Sequence, residues 1–249
     1  MQTYRSMTHQ RRMFFGLTLL LLFVFASCSK EDALEQHYAT GGQEYYPLRV
    51  GTQTIYDVIY YYYDDFGKKT DTSEYQIKEV VESALVNEAG DTIYRIERYR
   101  RDSINQKWSI VDVCQASIDY LGAYKTVDNL RYLKLAFPVG KETHWQQALF
   151  IDSLTFYQSH YELSGIVDYQ MKTRKSSYSE VGEPMEINGH YFPETVSVLH
   201  HDYSTMISRD LEQEIDAKNV GLIYRHHVVW RKVNNQLKGY EEVYSYAGK

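Results

Sequence analysis

From residue 53 to residue 247 the chain keeps returning to a two-residue alternation, and that repeat limits its fold more than any other feature. The longest clean run is 221–232. There Leu222, Tyr224, His226, Val228 and Trp230 alternate with Ile223, Arg225, His227, Val229 and Arg231. Side chains two apart lie on one face of a strand, so such a run reads as β structure. The presence of 25 Tyr and only 4 Pro agrees. Aromatic residues fill a pleated surface well, while Pro removes a ladder donor.

Turn residues cut the alternation into short pieces. Residues 87–91, Asp128-Asn129 and Asn188-Gly189 carry hairpin chemistry, because Asn, Asp and Gly tolerate positive φ. Strands are predicted over 53–63, 73–81, 92–101, 106–116, 121–127, 130–137, 157–175, 176–185, 195–201, 221–232 and 240–247. Residues 144–156 allow a short helix or a strand. Residues 210–218, with Leu211 and Ile215 four apart, are compatible with one or two helical turns. The expectation is a mostly β fold: a single antiparallel, largely meandering curved sheet, half-barrel or open barrel, with at most one or two short helices. The domain is placed at 45–249 behind a polar tether, 28–44. Strand 53–63 is aromatic on both faces, so one face should line a concavity. Tyr56, Tyr60, Tyr62, Tyr224 and Trp230 are its candidate ligand contacts.

The N-terminus says where the chain goes. Arg5, Arg11 and Arg12 precede an apolar run, 13–25, that ends at Ala26-Ser27-Cys28. A charged n-region, an apolar h-region and small residues before a cut describe a secretory signal, and the run is short for a membrane span. With cysteine next, residues 1–27 resemble a bacterial lipoprotein signal peptide. That resemblance implies acylation of Cys28 as the first mature residue, although Phe25 stands where an aliphatic residue is usual. Ser29-Lys30-Glu31-Asp32 resembles the export signal of Bacteroidota surface lipoproteins, which assigns that role to Lys30, Glu31 and Asp32. It implies a lipid-anchored outer-membrane protein on the cell surface, with the periplasm-facing leaflet as the alternative.

Removal of residues 1–27 takes three of 27 Lys and Arg and none of 33 Asp and Glu, leaving a formal charge of −9. That balance argues against nucleic acid as a partner and against a basic patch as the membrane attachment. The lipid must then do the anchoring, and several acyl chains hold a protein stably where one does not. After lipidation Cys114 is the only thiol left, and its apolar surroundings suit a small buried hydrophobe.

Four short patterns resemble a family of Bacteroidota lipoproteins of unknown function. They are Tyr-Pro-Leu-Arg-Val-Gly at 46–51, Leu-Lys-Leu-Ala-Phe-Pro-Val-Gly-Lys at 133–141, Ile-Asn-Gly with Tyr-Phe-Pro at 187–193, and Ala-Lys-Asn-Val-Gly-Leu-Ile-Tyr-Arg at 217–225. The family is similar to periplasmic lipoprotein carriers, which implies an open, concave, apolar-lined half-barrel and supplies no catalytic residue. Three triplets beginning at Asp91, Asp102 and Asp152 resemble the O-glycosylation site of the same bacterial group, which would modify Thr92, Ser103 and Ser153.

Motifs of catalysis are absent: no His-Glu-x-x-His, no phosphate-cradling loop, no Gly-x-Ser-x-Gly and no Cys-x-x-Cys. His200-His201 and His226-His227 each place one imidazole per strand face if the strands are regular, with a carboxylate such as Asp202 as third ligand. Histidines satisfied by hydrogen bonds are the preferred reading, so no metal site, cofactor or catalytic residue is assigned. The expected function is a non-enzymatic binding module for a ligand or envelope partner. The alternatives are a carrier of lipidated or apolar cargo and a surface polysaccharide or peptide hydrolase.

Overall fold

The computed structural model describes residues 41–63, 69–152, 155, 174–233 and 236–249. A 3-10 turn, Gln43–Tyr45, leads into twelve strands. These are β1 (Gln53–Tyr63), β2 (Lys69–Val86), β3 (Thr92–Arg101), β4 (Ser109–Ile118), β5 (Gly122–Val127) and β6 (Leu130–Ala136). After them come β7 (His144–Trp145), β8 (Ser176–Ile187), β9 (His190–Ser204), β10 (Ser208–Ala217), β11 (Gly221–Val233) and β12 (Gln236–Gly248). All belong to one antiparallel sheet in the order β6-β5-β4-β3-β2-β1-β12-β11-β10-β9-β8-β7, nearly closed and barrel-shaped. Every pairing but β1 with β12 joins sequence neighbours, as a meander requires.

The predicted turns sit where the chain needs left-handed backbone. Asp128 and Asn129 have φ of 49° and 63°, and Asn188 and Gly189 have 49° and 75°. These are the values a two-residue hairpin demands. The segment left open between helix and strand, 144–156, supplies the two-residue β7 followed by turns closed at Gln146 and Ala148.

Residues 210–218 correct the helical expectation, because β10 is a strand over Ser208–Ala217. A spacing of four fits a helix and equally fits two strand repeats, so Leu211 and Ile215 could not discriminate. The predicted strand 157–175, the turn at 64–67 and residues 234–235 fall wholly or mainly outside the described residues.

Closure brings the two ends of the sheet together. The Leu133 N–H donates to the Gln147 carbonyl (2.8 Å), and the Trp145 indole N–H donates to the Leu133 carbonyl (3.0 Å). Beside them the Tyr178 hydroxyl donates to the Ala136 carbonyl (2.7 Å). The edge of β6 is thereby covered rather than left as a template for another strand. Leu133, Leu135, Trp145, Tyr178, Val196 and Val198 pack as one buried cluster along this seam.

Residues 41–44, read from sequence as the end of the tether, are docked. Gly42 is buried, and a β-carbon there would meet a Val139 methyl at 2.3 Å. The Asn219 N–H donates to the Glu44 carbonyl at 2.7 Å, tying the segment to the β10–β11 turn. Tyr45 joins the seam cluster, while Tyr46 and Leu48 pack on Val81, Ile96, Cys114 and Ala116. Cys114 is 2% exposed, as its apolar setting predicted, and burial pushes its thiol up.

Candidate functional site

The site is built on β10. Its sequence places an acid at every second position, and strand geometry turns Asp210, Glu212, Glu214 and Asp216 to one face. That face is the interior, where all four are buried. Leu211, Ile215 and Ala217 point the other way, and the last two pack with Phe192, Ile223 and Tyr246.

Carboxylates taken out of water need partners. The Lys134 ammonium stands 3.2 Å from Glu212 and 2.9 Å from Glu214. Arg225 stands 3.5 Å from Glu212 and 3.6 Å from Glu214, and donates to Glu242 at 3.3 Å. Arg174 donates to Asp210 Oδ2 at 2.6 Å. Further round the barrel Glu79 takes Lys125 at 2.8 Å and Arg98 at 3.2 Å. Asp216 differs: among the described residues no ion-pair or hydrogen-bond partner reaches its carboxyl.

A β-bulge brings in the histidines. Glu212 pairs with His201 and Gln213 with Leu199, so His200 is the extra residue of β9. A bulge sets two consecutive residues against one partner residue, and here both imidazoles reach the acids of β10. His200 Nε2 lies 3.0 Å from Glu214 Oε2, and His201 Nε2 lies 2.6 Å from Asp210 Oδ1. The expectation of one imidazole per face fails in β9 for this reason. It holds on β11, regular from Tyr224 onward, where His226 bonds Glu241 (3.0 Å) and the next residue, His227, faces inward.

These side chains enclose a cavity of ≈ 300 Å³, whose walls include Arg98, Lys134, Glu212, Arg225, Tyr240 and Tyr244. A smaller cavity of ≈ 150 Å³ lies under Tyr46–Arg49. Glu79, Lys125, Lys134, Glu214 and Leu222 line both, so they form the partition.

The partners decide the protonation states. Burial alone would raise Glu214, but Lys134 and the His200 hydrogen bond bring its pKa down to about 2. Burial likewise opposes ionisation of Glu212, and Lys134, His200 and Arg225 hold it well below the usual carboxylate range. Asp216 goes the other way: burial, then the charge of Glu214, push it well above that range. Burial, then the Arg225 charge, bring His227 down to about 3, so its imidazole is neutral.

Ser176 Oγ lies 3.1 Å from His200 Nδ1, which completes a serine–histidine–glutamate chain. Ser176 has no exposed surface, so this chain orients Glu214 and offers no reachable nucleophile. Among the described residues two groups have metal-ligand chemistry, His201 with Asp210 and His227, and His200 with Glu212 and Glu214.

The concavity residues picked from sequence are placed unevenly. Tyr56 is buried, donates to the Leu222 carbonyl at 3.2 Å and lines the smaller cavity. Tyr60 stacks on the wall residue Tyr240, with ring centroids 5.5 Å apart, but lines neither cavity. Tyr62 is 54% exposed. Tyr224 and Trp230 alternate with Arg225, His227 and Val229 and face away. The larger cavity is thus lined by charged side chains together with Tyr132, Tyr240 and Tyr244, where an apolar lining was expected. The overlooked signal is the acid at every second position of 210–216, together with Lys134 between Leu133 and Leu135.

Thr92 opens β3 and is half-buried, and Ser103 is exposed in the β3–β4 turn. Cys28, Lys30, Glu31, Asp32 and Ser153 lie outside the described residues. Among the described residues no helix is long and apolar enough to cross a membrane.

No family model and no curated protein matches the chain. Among solved structures it is similar, at 13% identity, to a Bacteroides fragilis protein described as exported and as having a YmcC-like fold. That match covers 79% of this chain and 95% of the other, with a TM-score of 0.33. It is also similar, at 12% identity, to a Parabacteroides distasonis protein described as a lipoprotein, over 82% of this chain and 98% of that one, with a TM-score of 0.30.

Proposed function

We propose that the protein is a cell-envelope lipoprotein, anchored in the outer membrane by acylated Cys28, whose barrel binds a compact, neutral, hydroxyl-rich ligand without transforming it. The reading of the anchor rests on residues 1–32. The binding role rests on one observation: the walls of the ≈ 300 Å³ cavity are charged, and their charges already oppose one another.

A ligand with net charge would enter a low-dielectric chamber with no counter-charge left for it. An acyl chain would desolvate Arg, Lys and Glu side chains and return no hydrogen bonds. Hydroxyl groups donate and accept, so a sugar ring can bridge Lys134 or Arg225 to the carboxylates beside them. Tyr132, Tyr240 and Tyr244 supply faces for its C–H surface. The volume is at the lower end of ligand pockets, roughly 300 Å³ and up, which sets the size at one or two sugar rings.

The test is calorimetry on protein extracted from membranes in detergent, against neutral mono- and disaccharides, uronic acids, amino acids and fatty acids. A neutral saccharide should bind, and Tyr240→Ala and Lys134→Met should abolish it. Preference for a fatty acid, a uronic acid or an amino acid would sink the reading. The anchor has its own assay. Cys28→Ala should release the protein from membranes, and changing Lys30, Glu31 and Asp32 to Ala should protect it from proteinase added to intact cells.

A hydrolase is the second reading, favoured by one feature: Glu214 is held down at about 2, while burial and the Glu214 charge push Asp216, two residues along the same face, well above the usual carboxylate range. Such a split supplies a base and an acid. If it operates, oligosaccharide incubated with the protein is cleaved, and Asp216→Asn stops the cleavage.

A further inference from the structure

We propose that His201, Asp210 and His227 bind one divalent first-row transition-metal ion in the wall of the larger cavity. Three neighbouring strands each contribute one residue. Glu212 of β10 pairs with His201 of β9 on one side and His227 of β11 on the other, which sets the two imidazoles level. Asp210 lies two residues along β10 on the same face. One ligand atom from each lies within 4.8 Å of the others. Tetrahedral zinc, with bonds near 2.0–2.2 Å, needs ligand atoms about 3.3 Å apart. The site requires side-chain rotation to close that difference.

The donor set selects the metal. Two imidazole nitrogens and one carboxylate oxygen suit zinc and its first-row neighbours, whereas calcium and magnesium take oxygen ligands. Three protein ligands leave a fourth position open toward the cavity. His201 and His227 both line that cavity.

The surroundings orient the ligands. Arg174 holds Asp210 Oδ2 at 2.6 Å, which leaves Oδ1 toward His201. The Tyr240 hydroxyl and Arg225 Nη2 both stand 3.3 Å from His227 Nδ1. Metal on Nε2 selects the tautomer whose Nδ1–H donates to the Tyr240 oxygen, and Arg225 keeps its contacts with Glu212 and Glu242. The second histidine–carboxylate group, His200 with Glu212 and Glu214, already holds a cation. The Lys134 ammonium lies 3.2 and 2.9 Å from its two acids.

The experiment uses untagged protein extracted from membranes in detergent, stripped with a chelator and dialysed. Zinc is titrated by calorimetry and cobalt by visible absorption. One equivalent of each should bind, and the cobalt spectrum should show the intense d–d bands of a low-coordinate site. His227→Gln and Asp210→Asn should each weaken zinc by a hundredfold or more, about the upper end of losses seen on removing even a supporting partner. Tyr240→Phe, which acts through His227, should weaken it about tenfold. His226→Ala, which alters the imidazole facing out to Glu241, should leave affinity unchanged. Circular dichroism on every variant separates loss of ligand from loss of fold. If a variant does not fold, paramagnetically shifted imidazole N–H signals in the cobalt form of the unaltered protein decide the question. Two histidine signals support the site. No stoichiometric binding, equal loss in His226→Ala, or full binding in a folded His227→Gln overturns it.

Discussion

The larger and the smaller cavity share an ion-paired partition, but beyond it they treat a buried acid in opposite ways. In the larger one every acid named in the wall faces a base, and Glu214 is held ionised at a pKa of about 2. In the smaller one Asp216, on the same strand and the same face, has no such partner and is pushed toward its neutral form. Position along one strand therefore does not decide the state of a carboxyl group; the neighbours brought by other strands do. Arg174, Arg225 and Glu242 belong to the wall of the larger cavity alone, while Tyr46–Arg49 belong to the wall of the smaller one.

The difference can be broken most strongly at Lys134. Lys134→Met takes the nearest cation from Glu212 and Glu214 and leaves the two buried acids to share Arg225 at 3.5 and 3.6 Å. The expected loss is about 3–5 kcal/mol in chemical denaturation. Adding Glu212→Gln and Glu214→Gln to that variant should recover much of it. A smaller effect is expected in the docked segment before β1. Gly42 has φ +125° and no room beside Val139, so Gly42→Val should destabilise by about 1–3 kcal/mol through overpacking and strain.

The two acids should also pull stability in opposite directions with pH. Glu214 has its folded pKa depressed, so its contribution is present above 4.5 and is lost as pH falls toward about 2. Asp216 has its folded pKa raised, so its contribution is present below 3.8 and is lost as pH rises. Asp216→Asn should match the unaltered protein in acid. Above pH 4 it should gain about 1.4 kcal/mol per pH unit until the buried carboxyl ionises. Urea midpoints measured across pH check both slopes. The smallest effect is expected at Tyr56→Phe, which removes the hydrogen bond to the Leu222 carbonyl while keeping the ring, at about 0.5–1.5 kcal/mol.

Much of the sheet was legible because strands and hairpins are local. Asn188-Gly189 and Asp128-Asn129 announce their turns through the backbone they tolerate. Residues 92–101 and 221–232 announce strands that the structure bounds within a residue or so. The site was not legible in the same way. Acids at every second position of 210–216 look like a solvated face, and only closure of the barrel turns that face inward. Lys134 is 78 residues away from Glu212, and no local pattern pairs them.

The two His-His dipeptides mark the boundary most clearly. Sequence alone established that each lies in an alternating β segment, because periodicity is written in neighbouring residues. It also set the lipoprotein-like N-terminus and the acidic charge, which are properties of composition and order. Whether both imidazoles of a pair face one side depended on a bulge, present at His200 and absent at His226. A bulge is a choice of register between two strands, and register is decided by what packs and pairs across the closed barrel.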